Sequence, residues 1–145
     1  MTVLEHLRDI LADSIERPLS DIGIVLTTDR TGYTVAHYSG RKNDFDRSVT
    51  VVRDKWWNKN RGRFTVFLIV QPSGADPDDP DPVHAEMPLA DLMGHKTSDW
   101  KIWATDDKSS FVDQLENGML EHGIPWLDRV SNPEGFAQWQ EEEGH

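Results

Sequence analysis

Apolar residues at Leu4, Leu7, Leu11 and Ile15, with Ile10 alongside, recur at the spacing of one helical face, and Glu5, Arg8, Asp9, Asp13 and Glu16 fall largely outside it. Thr2 followed by Glu5 has the form of a capping box, hydroxyl and carboxylate each satisfying a free backbone N–H. Pro18 disfavours helical geometry at Arg17, which predicts a helix that stops there. The period then changes. Ile22–Leu26 is a short β-rich run, broken by the turn-prone stretch Thr28 to Gly32. Tyr33–Tyr38 and Arg47–Arg53 read as strands separated by the polar Ser39–Asp46 segment. Arg63–Gln71 is the clearest strand, with Phe64, Val66, Leu68 and Val70 on one face and Thr65, Phe67, Ile69 and Gln71 on the other. Apolar residues on both faces predict a central strand covered on both sides, at least in part. Strands joined by polar loops without intervening helices predict antiparallel pairing.

Pro72 to Pro82, with four prolines and four aspartates, has nothing to pack and predicts a surface loop inside the domain, within an acidic region spanning 72–86. Asp99–Thr105 reads as a strand in which Trp100 and Ile102 oppose Lys101 and Trp103. A second helix starts near Thr105–Asp107 and runs to about His122 on a stripe of Phe111, Val112, Leu115, Met119 and Leu120; Gly123 is placed to end it in a left-handed cap, with Pro125 beyond. A last short helix begins at Asn132 as cap, with Pro133 in its first turn. The pattern as a whole predicts an α+β fold: an antiparallel sheet of about four to five strands, with the N-terminal and C-terminal helices packed on one face.

A chain of 145 residues is one domain's worth, 1–145, and is long enough for a proper core. It has no cysteine, which excludes disulfides and thiol chemistry and suits a reducing compartment. The first residues lack the positive start and unbroken apolar run of a signal peptide, and the longest apolar run, Phe64–Val70, is interrupted by Thr65 and has strand length. These features predict a cytoplasmic protein that makes no use of a membrane. The formal net charge is −11, from 26 acids against 15 bases. Such a field repels nucleic acid and anionic membranes unless the bases are segregated, and draws in a basic protein. The same imbalance also serves solubility alone.

Three places carry a family resemblance: the strand Arg63-Phe64-Thr65-Val66-Phe67-Leu68, Trp100 within a later strand, and Gly123-Ile124-Pro125-Trp126-Leu127-Asp128-Arg129 after a long helix. They resemble the FTVNL-type strand, the tryptophan position and the "G-(I/L)-P-(W/F)-L" ending of the bacterial family known as domain of unknown function 4304. The likeness covers most of residues 33–140. It implies an α+β domain without an assigned activity, of a kind found beside toxin genes as an immunity-like protein, and it brings no catalytic residue.

The chain carries no P-loop, dinucleotide fingerprint, nucleophile elbow or H-E-x-x-H helix. His84-Ala85-Glu86 echoes the H-x-E of zinc deaminases, but that chemistry needs thiolates to hold the metal. A calcium loop starting at Asp76 would need Gly sixth and Glu twelfth, where Asp81 and Met87 stand. None of His6, His37, His84, His95, His122 and His145 pairs at helical spacing with another histidine; His6 and His122 lie beside Glu5 and Glu121 and read as solvated surface residues. A triad assembled from distant residues leaves no trace in a sequence. The expectation is therefore no catalytic residue, no metal and no cofactor.

Two binding surfaces remain. Lys55-Trp56-Trp57-Asn58-Lys59-Asn60-Arg61-Gly62-Arg63 interleaves four bases with two tryptophans, as single-stranded nucleic-acid platforms do. The competing reading, favoured in so acidic a chain, is a hairpin loop with one tryptophan folded onto the core and the other shielding it. Asp76, Asp78, Asp79, Asp81, Glu86 and Asp91 form an acidic sector without lysine or arginine, and Glu141–Glu143 add a negative tail. Such a run is either a solvated face or a docking surface for a basic protein. Trp100 and Trp103, three apart on a strand, must face opposite ways; unless both faces are covered, one is exposed as an interface anchor. The function expected is a non-catalytic acidic binding protein, foremost an immunity protein occluding a cognate toxin or other basic protein, through Asp76, Asp78, Asp79, Asp81, Glu86, Trp56, Trp57 and Trp103. The alternatives are a small ligand-binding or enzymatic domain with a pocket between helices and sheet, and a structural adaptor. The sequence leaves the oligomeric state open.

Overall fold

The computed structural model describes residues 2–27, 32–74 and 83–144. Helix α1 (Val3–Ser14) starts where the pattern places it, with Thr2 Oγ1 accepting the Glu5 N–H at 3.2 Å. Leu7, Ile10, Leu11 and Ile15 are buried. The helix breaks at Ile15, and α2 (Glu16–Asp21) then runs through Pro18 rather than stopping at Arg17. Pro18 falls in the first turn of α2, where a missing N–H forfeits no bond. The predicted strand Ile22–Leu26 shrinks to β1 (Val25–Leu26), because Ile22 caps α2 and Gly23 turns the chain at φ +82°.

Strands β2 (Thr34–Lys42) and β3 (Phe45–Arg53) extend through the segment expected to be a loop. Their link is only Asn43-Asp44, with φ 54° and 65°. Positive φ at both central residues gives a hairpin turn whose twist matches that of the strands, so pairing continues up to it. β4 (Arg61–Pro72) is central. β3 pairs with one edge of it; β5 (Ala85–Pro88) and β6 (Trp100–Trp103) share the other, opposite 67–70 and 61–64 respectively. The six strands are antiparallel throughout, in the order β1-β2-β3-β4-β5 with β6 also on β4. The α+β class and the one-sheet architecture are as the sequence predicts; β5 and the following turn α3 (Leu89–Leu92) are additional.

Helix α4 (Lys108–Gly118) is capped by Asp107 and does not end at Gly123. It passes through a π-helical turn, Met119–Gly123, into α5 (Ile124–Val130). Gly123 keeps helical φ (−68°), and the end of the Met119 side chain packs where a Cβ would stand, with Sδ at 2.6 Å. Pro125 lies in the first turn of α5, where it is tolerated. α6 (Pro133–Trp139) begins as predicted, Asn132 Oδ1 accepting the Gly135 N–H at 2.8 Å. Leu115 and Met119 are buried, Phe111 and Val112 half-buried, but Leu120 is exposed, because the π-turn rotates it off the stripe.

The helices bury Phe64, Val66, Leu68 and Val70 of β4, whereas Thr65, Phe67, Ile69 and Gln71 stay half-buried. The strand is thus covered fully on one side and in part on the other, as its two apolar faces predict. Cross-strand neighbours on the outer face, Thr50 and Pro88 beside Phe67, and Ser48 and Glu86 beside Ile69, give it partial shelter. His6, read from the sequence as a solvated surface residue, is corrected. It is 7% exposed, and its Nε2 lies 2.9 Å from the Asp106 carbonyl, tying α1 to the segment before α4.

Candidate functional site

Period-2 alternation separates the two tryptophans of β6. Trp100 turns inward, 7% exposed and stacked 5.5 Å from Phe64, while Trp103 turns outward at 46% exposure. On the outer face Trp103 stands opposite Arg61, and Lys101 opposite Arg63. The Arg61 guanidinium lies 5.5 Å from the Trp103 ring centre. The loop between β3 and β4 is pinned from several sides. Asn58 Oδ1 accepts the N–H groups of Asn60 and Arg61 at 2.8 and 3.0 Å, the Lys59 carbonyl accepts from Val3 at 2.8 Å, and the Asn60 carbonyl accepts from Ala104 at 2.8 Å.

That loop carries the tryptophan pair in two directions. Trp57 folds across Gly62 against the core; its ring occupies the space that a Cβ at residue 62 would need. Trp56 points out, 76% exposed, with Lys55 Nζ 5.0 Å over its ring. One tryptophan on the core was the sequence expectation. Trp56 does not shield it, and stands clear instead.

Trp56 and Trp103 wall a half-open cleft of about 310 Å³, floored by Gly62 and Ile102 and lined by Arg61, Arg63, Lys101 and Asp54. Three bases meet one acid there. Arg63 is 3.6 Å from Asp99, and its backbone N–H donates to Asp54 Oδ1 at 3.4 Å. Among the described residues no ion pair involves Arg61 or Lys101. The arrangement can hold a planar or anionic group against an indole.

Glu86 lies elsewhere. Glu86 is exposed on β5, opposite Ile69, and eight residues along β4 separate Ile69 from Arg61, roughly 27 Å at strand rise. Asp76, Asp78, Asp79 and Asp81 lie outside the described residues. Trp56 and Trp103 therefore come together, Trp57 belongs to the core, and Glu86 stands apart. Arg61 and Arg63 belong to the Lys55–Arg63 segment that the sequence offers as a binding surface, but nothing in the sequence joins Lys101 to them. Their charges were visible; the register that sets them side by side was not.

Among the described residues no group of three or more His, Asp or Glu could hold a metal ion, and no helix is long and apolar enough to cross a membrane. No family model matches the chain, and neither the curated proteins nor the solved structures include a match.

Proposed function

We propose that the chain is a non-catalytic binding protein whose contact surface centres on the outer face where β4 meets β6. One observation carries this reading: two tryptophans, 76% and 46% exposed, stand on a pinned scaffold beside Arg61 and Lys101, which make no ion pair among the described residues. Burying exposed indole and guanidinium is where protein interfaces gain most of their energy, and tryptophan and arginine are the residues enriched at such positions. A pinned loop loses little entropy on docking.

In its finer form the proposal is an immunity-type protein of the cytoplasm that occludes a basic toxin, in line with the resemblance to domain of unknown function 4304. The formal charge of −11 speeds encounter with a basic partner, Trp56 and Trp103 anchor the contact, and the bases of the cleft require an acidic patch of that partner opposite them. The test is co-expression with the product of the adjacent gene. Co-elution on gel filtration together with restored growth supports the proposal; absence of both overturns it.

A further inference from the structure

We propose that the cleft between Trp56 and Trp103 binds a nucleotide, with the base against the indoles and the phosphate on Arg61, Arg63 and Lys101. This goes beyond protein docking and does not rest on it, since it needs no partner protein.

Charge register is the first ground. Arg63 and Lys101 are directly opposite one another on adjacent antiparallel strands, and like charges so placed destabilise a sheet. Asp99 relieves this only in part, at 3.6 Å from Arg63. Arg61, two pairs further along and on the same face, has its guanidinium at the Trp103 ring and no carboxylate partner among the described residues. Where a sequence breaks a local rule without compensation, function is the usual reason. An anion spanning these three cations removes the conflict.

The aromatic walls decide what kind of anion. A bare phosphate or carboxylate would need the cations but not the two exposed indoles; a nucleobase has a π-face for them, and base stacking on tryptophan is tolerant of sequence. Asp54, the one acid lining the cleft, can accept from an exocyclic amino group of the base. Size and field then limit the ligand. At about 310 Å³ the cleft lies at the small end of ligand pockets and suits one base with its phosphate. The net charge of −11 opposes a long polyanion. At a screening length of about 8 Å, however, the cations of the cleft govern its own interior, and Glu86, roughly 20 Å along the sheet from Arg63 and farther from Arg61, does not reach it.

The test is a ¹H–¹⁵N titration of the intact protein, whose six tryptophans give separable indole N–H signals. Adenosine monophosphate is expected to shift the Trp56 and Trp103 signals saturably while leaving Trp100, Trp126 and Trp139 in place. Adenosine alone should bind about tenfold more weakly, and inorganic phosphate should leave the indoles unmoved. Arg61→Gln and Lys101→Gln should each weaken the nucleotide about tenfold but not the nucleoside, and Trp56→Ala with Trp103→Ala should abolish both. A single-stranded pentanucleotide distinguishes the source. Binding tighter than the mononucleotide assigns the site to a strand end, and equal binding to a free nucleotide. Three results would overturn the proposal: no saturable shift up to about 10 mM, a weak limit of about 3 kcal/mol; shifts unaffected by the arginine and lysine changes; or an acidic tyrosine peptide that binds tighter than the nucleotide. None of these touches complex formation with a toxin, so either proposal can fail without the other.

Discussion

Arg47 sits on the core face of β3 with only 2% of its surface exposed, where a guanidinium needs polar partners; its Nε has none, and the two Nη groups carry the compensation. Its Nη1 donates to Asp128 at 3.0 Å and its Nη2 to the Ile22 carbonyl at 2.9 Å, so one side chain joins the sheet to α5 and to the end of α2. Removing Asp128 strands that charge. Because Asp128 is itself 45% exposed and water can reach the gap, Asp128→Ala should cost about 2–3 kcal/mol by urea unfolding, below the ~3–5 of a fully buried pair. Arg47→Met should cost far less, since an apolar side chain of similar volume leaves no charge behind. Gly62 sets a second constraint. Gly62→Ala drives a methyl group into the Trp57 ring, which should destabilise the fold by about 1–3 kcal/mol and red-shift tryptophan emission as Trp57 leaves the core.

At the scale of elements, the β2–β3 hairpin shows what a sequence displays and what it hides. The alternation of Arg47–Arg53 is visible, but nothing in the polar Ser39–Asp46 segment marks it as strand; only the two positive-φ residues Asn43 and Asp44 make a tight turn there. Asp44→Gly removes the side-chain cost of the left-handed conformation and should raise stability by about 0.5 kcal/mol at the chemical-denaturation midpoint. The long periodic elements α1, β4 and α4 were legible because burial imposes one period on each. The joins were not. Pro18, Gly123 and Pro125 all signal a helix end in isolation, and each is accommodated inside a helical stretch because it falls where no backbone bond is lost or where a neighbouring side chain fills the space. α1 and α4 are tied on their surface by Lys108 and Asp13 at 2.6 Å. The hydrogen bond to Asp13 raises the Lys108 pKa against a smaller opposing effect of desolvation. A raised folded-state pKa contributes stability that is whole below the ordinary lysine value of about 10.4 and is lost as pH rises through the elevated one. Asp13→Asn should therefore lower the melting temperature at pH 7 and in low salt, and the difference should vanish at strongly alkaline pH.

At the scale of the whole molecule both signs of charge occur at each end of β4, with Asp54 and Asp99 beside Arg63 at one end and Arg41 and Arg47 at the other. Arg61, Arg63 and Lys101 occupy the β6 end, whereas Glu86 stands on the β5 end, several screening lengths away. The cleft nonetheless sets three bases against one lining acid in a chain of net charge −11. Sequence reading supplied the ingredients of the cleft, the Lys55–Arg63 segment and the outward Trp103, but their meeting depends on β6 returning to pair with the first residues of β4. Salt should slow association with a basic partner while leaving dissociation nearly unchanged, because the negative field steers the encounter and the tryptophans hold the complex. The most direct measurement is the affinity of the adjacent gene's product for wild type and for Trp103→Ala, by calorimetry at matched salt. Trp103 is exposed, so its loss should leave the melting temperature within a degree or two while weakening binding by about 30-fold or more, a change of about 2 kcal/mol. Equal affinity for the two proteins, with a further Trp56→Ala change making no difference, would contradict the placement of the contact surface.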